Sequence, residues 1–327
     1  MLLLSDIKGQ SNAVRHLSNS LSLGRIANGY LFSGPRGVGR VKSAKAFIMA
    51  LVCQNAPGQV EACGQCPSCR KINDLQHPDV LWVKPEKKKT RTIKIDEIRK
   101  AKGVLNLKPF TSPVSVCVIE DAHVMTPEAS NALLKVLEEP PGSALLILIT
   151  HKKELLFETV VSRCAEVRFH SLSVKDTKDI IMQEAADIDE EAAYFLAYFS
   201  QGSPGRALEM IEEGLLQRKD VLYGMVEEIV KEERASCLNW DSDDRDILLE
   251  DLEMLIMLLR DIALGKEALN EMILDKDITG TEMYKFFERY PTEKIYGIME
   301  RLIKVKLALT GNVNPKLVAQ VLPGMIK

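Results

Sequence analysis

In the first half of the chain, short apolar runs rich in β-branched residues alternate with stretches of helical periodicity. The apolar runs fall at residues 29–32, 80–83, 114–119, 144–150 and 165–169. Near-continuous apolarity marks parallel strands covered on both faces, whereas the fifth run alternates and suits a sheet edge. Between them, residues 42–54 and a segment starting near Asp96 carry amphipathic helical spacing. A third helix is punctuated at both ends. Thr126 caps it, Pro127 takes its first position, Pro140-Pro141-Gly142 ends it, and Leu133, Leu134 and Leu137 form its buried stripe. The alternation predicts a doubly wound α/β domain whose ligands sit at the carboxyl ends of the strands.

Beyond residue 170 the strand pattern stops and helices take over. Ser173 is placed to cap a helix over 174–186, a second follows over 189–200, and Gly202-Ser203-Pro204-Gly205-Arg206-Ala207 opens another. Residues 232–244 are polar and read as a linker, with further helices at 247–264, 283–290, 292–309 and 315–322. The expected division is an α/β domain over 1–169, a small helical domain over 170–230 and a larger helical domain over 231–327.

Composition adds limits to this picture. The chain has 327 residues, 46% hydrophobic and 27% charged, ample for two or three ordinary cores. A net charge of −3 provides no global attraction to nucleic acid. There is no run of about 18 apolar residues, and the start MLLLSDIKGQ lacks a charged n-region and cleavage site, so a cytoplasmic chain with no membrane segment is expected. Seven cysteines, four of them within residues 53–69, favour a metal site in a reducing compartment over a disulfide framework.

Three constellations carry chemistry. The first is SGPRGVGRVKS, directly after the strand Tyr30-Leu31-Phe32. Strand, glycine-rich turn and helix make a cradle of backbone N–H groups for an anion. Gly34, Gly37 and Gly39 fit the Walker A spacing, but Arg40 and Val41 stand where Lys and Ser or Thr are needed. The ammonium for the β/γ-phosphates and the hydroxyl for Mg²⁺ are both missing, which argues against ATP binding. The second is Cys53-x9-Cys63-x2-Cys66-x2-Cys69, whose four thiolates would close a tetrahedral structural zinc site; a variant set replaces Cys53 by His77. The third is the apolar strand ending in Glu120-Asp121, the place where Mg²⁺ and a hydrolytic water are handled in phosphate-loop proteins. The usual order is Asp-Glu. With Asp121 in the base position the carboxylate is drawn back by one methylene, which weakens water activation. The histidines at 16, 123, 151 and 170 have no mutual spacing that argues for metal or catalysis, and the basic run from Lys84 to Arg91 reads as a solvated loop.

Taken together these parts resemble the clamp-loader subunits of the AAA+ class, and within it the delta-prime type of bacterial DNA polymerase III. The matching stretches include Ile7-Lys8-Gly9-Gln10, YLFSGPRGVGR, the four-cysteine insert, His77-Pro78-Asp79, Thr126-Pro127-Glu128-Ala129 and Asn131-Ala132-Leu133-Leu134-Lys135 with Leu137-Glu138-Glu139-Pro140-Pro141. Ser162-Arg163-Cys164, Gly202-Ser203-Pro204-Gly205-Arg206-Ala207-Leu208 and Asn312-Val313-Asn314-Pro315 continue the match. The resemblance implies an AAA+ α/β domain with a zinc insert, a helical lid and a helical collar. It implies that Arg163 is an arginine finger acting in trans on a neighbour's ATP. Thr150 falls near the sensor-1 position, and Arg206 at the sensor-2 position, where a salt bridge to Glu209 or a nearby acid is the alternative. The implied partners are delta and tau/gamma ATPase subunits in a ring, with the sliding clamp and primed DNA as the assembly's targets. No independent catalysis is implied. Two other readings stay open: an active AAA+ ATPase using Arg40 in place of the lysine, and a zinc-dependent nucleic-acid-binding module.

Overall fold

The computed structural model describes residues 2–85, 92–231, 244–267, 269, 272–275, 281–311 and 313–326. Most of the basic run, most of the 232–244 linker and Asn312 lie outside the described residues.

The five apolar runs form five strands: β1 (Gly29–Ser33), β2 (Val80–Val83), β3 (Ser115–Ile119), β4 (Ala144–Thr150) and β5 (Ala165–Arg168). They make one parallel sheet in the order β2-β3-β4-β1-β5. The alternating fifth run lies at an edge, as its pattern requires. The continuously apolar β4 is central and buried at every residue.

Helices α1 (Ser11–Ser22), α2 (Arg40–Val52), α3 (Pro67–Asn73), α4 (Ile95–Asn106), α5 (Pro127–Glu138) and the short α6 (Glu158–Val161) cover the sheet. The period of two along each strand assigns side chains to one layer or the other. Tyr30, Phe32 and Ile149 pack with Leu17, Phe47 and Ile48 of α1 and α2. Leu31, Ile119 and Leu148 pack with Ile98, Leu133 and Val136 of α4 and α5 on the other face. Each such fully buried side chain stabilises the fold by about 1.5–3 kcal/mol before chain entropy is counted. In α5 the innermost line is Ala129, Leu133 and Val136; Leu134 and Leu137 flank it half-buried. Thr126 caps that helix, its Oγ1 accepting the Ala129 N–H at 3.3 Å.

The chain divides into two compact units, one of residues 1–180 and 200–206, the other of residues 181–199 and 207–327. Further helices are α7 (Val174–Glu184), α8 (Glu190–Phe199), α9 (Pro204–Glu212), α10 (Leu215–Lys231), α11 (Arg245–Lys266), α12 (Glu282–Glu288), α13 (Thr292–Thr310) and α14 (Pro315–Ile326). Within the second unit, Leu248, Leu252, Leu255 and Ile262 of α11 are buried alongside Ile295, Ile298 and Leu302 of α13. Among the described residues, the buried carboxylates Asp261 and Asp275 of this unit have partners. Asp261 accepts the N–H groups of Leu274 and Asp275 at 2.9 and 2.8 Å, and Asp275 pairs with Lys219 at 3.1 Å.

Candidate functional site

The site lies at the carboxyl ends of β1, β3 and β4, where the glycine loop leaves the sheet. The loop is closed by its own unit. Gly34 donates its N–H to the Thr150 carbonyl at 3.3 Å. Ser203 Oγ donates to the Arg36 carbonyl at 2.7 Å, and Gly205 N–H to the Gly37 carbonyl at 2.9 Å. Gly37 has φ +73°, and a Cβ there would stand 2.3 Å from Ser203 Oγ. The residue must be glycine on both counts. Gln10 bolts the other side, donating to the Val38 and His170 carbonyls at 3.2 and 2.7 Å.

Gly39, at φ +98°, is the residue from which α2 starts, and Arg40 and Val41 form its first turn. Arg40 is buried, and its Nη1 has no hydrogen-bond partner. Burial lowers the guanidinium pKa to about 10; Asp121 opposes the shift and Arg36 adds to it. Val41 is half-buried against the core. The next hydroxyl along the chain, that of Ser43, is buried and donates to the Gly39 carbonyl at 2.9 Å.

Opposite the loop, β3 ends in Glu120 and Asp121. Lys84, just after β2, pairs with Glu120 at 3.0 Å. Asp121 sits in the left-handed region (φ +50°), which short polar side chains tolerate, and turns the chain into a single helical turn over residues 122–124. Its Oδ1 lies 3.4 Å from His151 Nδ1. Thr150 is fully buried; its Oγ1 meets His123 Nδ1 at 3.1 Å and accepts the Lys152 N–H at 3.1 Å. The rings of His123 and His151 meet edge to face with centroids 4.3 Å apart. Burial, ahead of neighbouring charges, holds both imidazoles below their ordinary pKa. The two histidines, which no spacing in the sequence connects, therefore converge. The parallel register pairs Ile119 with Leu148, so the residues following β3 and β4 emerge side by side.

Arg163 follows α6, its Nη2 2.7 Å from Glu138 Oε1 and its Nη1 donating to the Thr159 carbonyl at 2.9 Å. About a third of its side chain is exposed. Arg206 lies in the first turn of α9, its N–H bonded to Ser203 Oγ at 3.2 Å. Ser203 and Pro204 thus open that helix as the sequence suggests.

The four insert cysteines cluster, with their sulfurs all within 4.8 Å of one another. Cys53 ends α2, and Cys66 and Cys69 belong to the start of α3. Backbone N–H groups of Cys63, Cys66 and Cys69 point at the sulfurs of Cys53, Cys63 and Cys66 at 3.3, 3.3 and 3.5 Å. Burial raises the Cys66 pKa, but the N–H groups of Cys69 and Gln54 and the neighbouring thiols outweigh it and bring the value to about 6. Four thiols so arranged fit a tetrahedral ion with metal–sulfur bonds near ~2.3 Å, so this cluster can hold zinc. His77 is not among the ligands. Its Nε2 meets Ser68 Oγ at 3.3 Å and its Nδ1 accepts the Asp79 N–H at 3.2 Å.

Asp79 was legible only as part of a motif, yet it organises the approach to β3. Its carboxylate accepts the N–H groups of Phe110, Thr111 and Ser112 at 2.6, 2.8 and 3.0 Å and both hydroxyls of Thr111 and Ser112 at 3.0 Å.

The sheet order, the glycine loop ending β1 and the carboxylates ending β3 define a P-loop-type α/β protein of the AAA+ class. A family model described as DNA polymerase III, delta subunit, matches residues 9–173. The chain belongs to that family of clamp-loader subunits. It is 27% identical over 342 residues to the DNA polymerase III subunit tau of Bacillus subtilis, covering 97% of this chain and 60% of that protein. The chain therefore spans less than two thirds of that relative's length. It is also 29% identical over 227 residues to the DNA polymerase III subunit delta' of Pseudomonas aeruginosa, covering 68% of this chain and 69% of that one. Among solved structures, a DNA polymerase III gamma subunit-related protein from Thermotoga maritima matches with 18% identity and a TM-score of 0.41, over 95% of this chain and 98% of that one.

Proposed function

We propose that this chain is a delta-prime-type subunit of a bacterial clamp loader that does not hydrolyse ATP itself. It acts as a stator in a ring with delta and tau/gamma-type ATPase subunits, and the assembly loads a sliding clamp onto primed DNA in the cytoplasm. Residues 170–230 serve as the lid and 231–327 as the collar. Arg163 is the finger presented to the ATP of a neighbour, where a planar, permanently charged guanidinium stabilises a transferring phosphoryl group.

The observation that carries the reading is the glycine loop, where the buried Arg40 and the half-buried Val41 stand in place of the phosphate-binding lysine and the metal-binding hydroxyl. Glu120 is paired with Lys84 and Asp121 faces His151, while the loop offers a buried arginine and a valine to any Mg²⁺-nucleotide. Attachment to the ring finds support in exposed apolar residues of the helical part: Tyr296, Ile303 and Leu307 on α13 and Leu317 and Val321 on α14. The test is a reconstituted loader carrying Arg163→Ala. DNA-stimulated ATPase and clamp loading are expected to fall, and unchanged rates would sink the assignment.

One observation favours a second reading. The unpartnered Nη1 of Arg40 lies within a glycine loop, at a helix N-terminus where a cation is otherwise disfavoured. An active ATPase using Arg40 would account for it. Equilibrium binding of labelled ATP to the isolated chain separates the two: micromolar, Mg²⁺-dependent binding with turnover supports the ATPase, and no binding supports the stator.

A further inference from the structure

Asp121, His123 and His151 place one carboxylate oxygen and two imidazole nitrogens within 4.8 Å of one another, all in the α/β unit. The separation of Asp121 Oδ1 and His151 Nδ1, 3.4 Å, is long for a charge-assisted hydrogen bond, which closes to about 2.7–2.9 Å. That nitrogen is buried and has no hydrogen-bond partner. Two ligands on one tetrahedral ion with bonds of about 2.0–2.1 Å stand about 3.4 Å apart. The gap is therefore the spacing of two ligands around a shared ion.

His123 is prepared in the same sense. Its Nδ1 is held by the buried Thr150 hydroxyl, whose position is set by the Lys152 N–H, leaving Nε2 for an ion. Metal-binding histidines are oriented by such a hydrogen bond at the other ring nitrogen.

We propose that Asp121, His123 and His151 form a binding site for a divalent transition-metal ion of the zinc class, distinct from the four-thiol cluster. Two imidazoles with one carboxylate suit zinc, cobalt or nickel, whereas magnesium demands oxygen ligands. Three protein ligands leave a fourth position open. The Arg40 guanidinium acts electrostatically on Asp121 and both histidines, so an anion is the favoured fourth ligand. The ion would stand beside the glycine loop. The site rests on this side-chain cluster and not on the stator reading, and its test reads metal binding by this chain, independently of Arg163.

The experiment is cobalt(II) and zinc titration of the metal-stripped, reduced full-length chain. Two equivalents are expected. One carries the intense thiolate-to-cobalt absorption of the cysteine cluster, the other only weak d–d bands. The His123→Ala/His151→Ala double variant should retain the thiolate signature and bind one equivalent. Thr150→Val leaves all three ligands in place and should weaken only the second equivalent, by about 10–100-fold. A single equivalent in the parent chain overturns the proposal. So does a second equivalent that survives in the double variant or is indifferent to Thr150→Val.

Discussion

Arg163 and Glu138 form an ion pair, with Nη2 and Oε1 2.7 Å apart, that joins two sequence motifs across the ends of α5 and α6. Both side chains are substantially exposed, so the pair contributes only about 0.2–1 kcal/mol. The weakness fits the proposed role of Arg163, because an arginine presented to a neighbouring subunit must leave its own carboxylate at little cost. Glu138→Gln is therefore expected to leave the thermal melt nearly unchanged and to keep or raise loader ATPase. Arg163→Ala is expected to lower ATP turnover at the neighbour's site by about 10³-fold or more. Steady-state ATPase of the reconstituted loader and calorimetry of the isolated chain measure the two effects.

The cysteine cluster closes the loop between α2 and α3, its four sulfurs within 4.8 Å of one another. Chelation, or Cys69→Ser, is expected to destabilise the first unit by several kcal/mol. Limited proteolysis should then cut between residues 53 and 73 while leaving the sheet intact, with metal content read in parallel.

Asp79 makes stability pH-dependent at the acid end. Its burial alone would raise the carboxyl pKa, but five donors outweigh that and lower it from 3.8 to about 2. A folded pKa below the unfolded one contributes stability that is fully present above about pH 4 and is lost as pH falls through about 2. The shift corresponds to about 2 kcal/mol. Asp79→Asn should lose that amount at pH 7 and flatten the acid limb of the stability curve, measured by denaturant melts between pH 2 and 7.

Gly37→Ala places a methyl group against Ser203 in a left-handed backbone conformation. A cost of about 2–4 kcal/mol is expected. Hydrogen exchange should report it locally, as lost protection of the Gly205 amide that bonds the Gly37 carbonyl.

Ile303→Glu with Leu307→Glu alters two exposed positions of α13 and should leave the melt of the isolated chain within about 0.5 kcal/mol. In the proposed ring the same change should abolish co-purification with partner subunits. Full incorporation of this variant would remove α13 from the interface.

Much of the fold was legible because its signals are local. The apolar runs matched the strands within a residue or so, and even the edge position of β5 followed from its alternation. Thr126, Pro127, Ser203 and Pro204 marked helix starts, since capping depends on residues three or four apart. The candidate site was legible in pieces. Gly34 to Val41, Glu120, Asp121 and the four cysteines were visible as motifs, while Lys84, His123, His151 and the hub role of Asp79 were not.

The sequence by itself determined the elements, the loop conformation that glycine permits, and the departures from the Walker A pattern at Arg40 and Val41, because each is a property of neighbouring residues. Only the tertiary structure decided which charges meet. Placing β4 between β3 and β1 sets His151 against Asp121 and His123, and seats Thr150 between loop and imidazole. The 200–206 segment, remote in sequence, closes the glycine loop through Ser203 and Gly205. The first relationship follows from strand order and register and the second from a tertiary contact, and spacing along the chain carries no record of either.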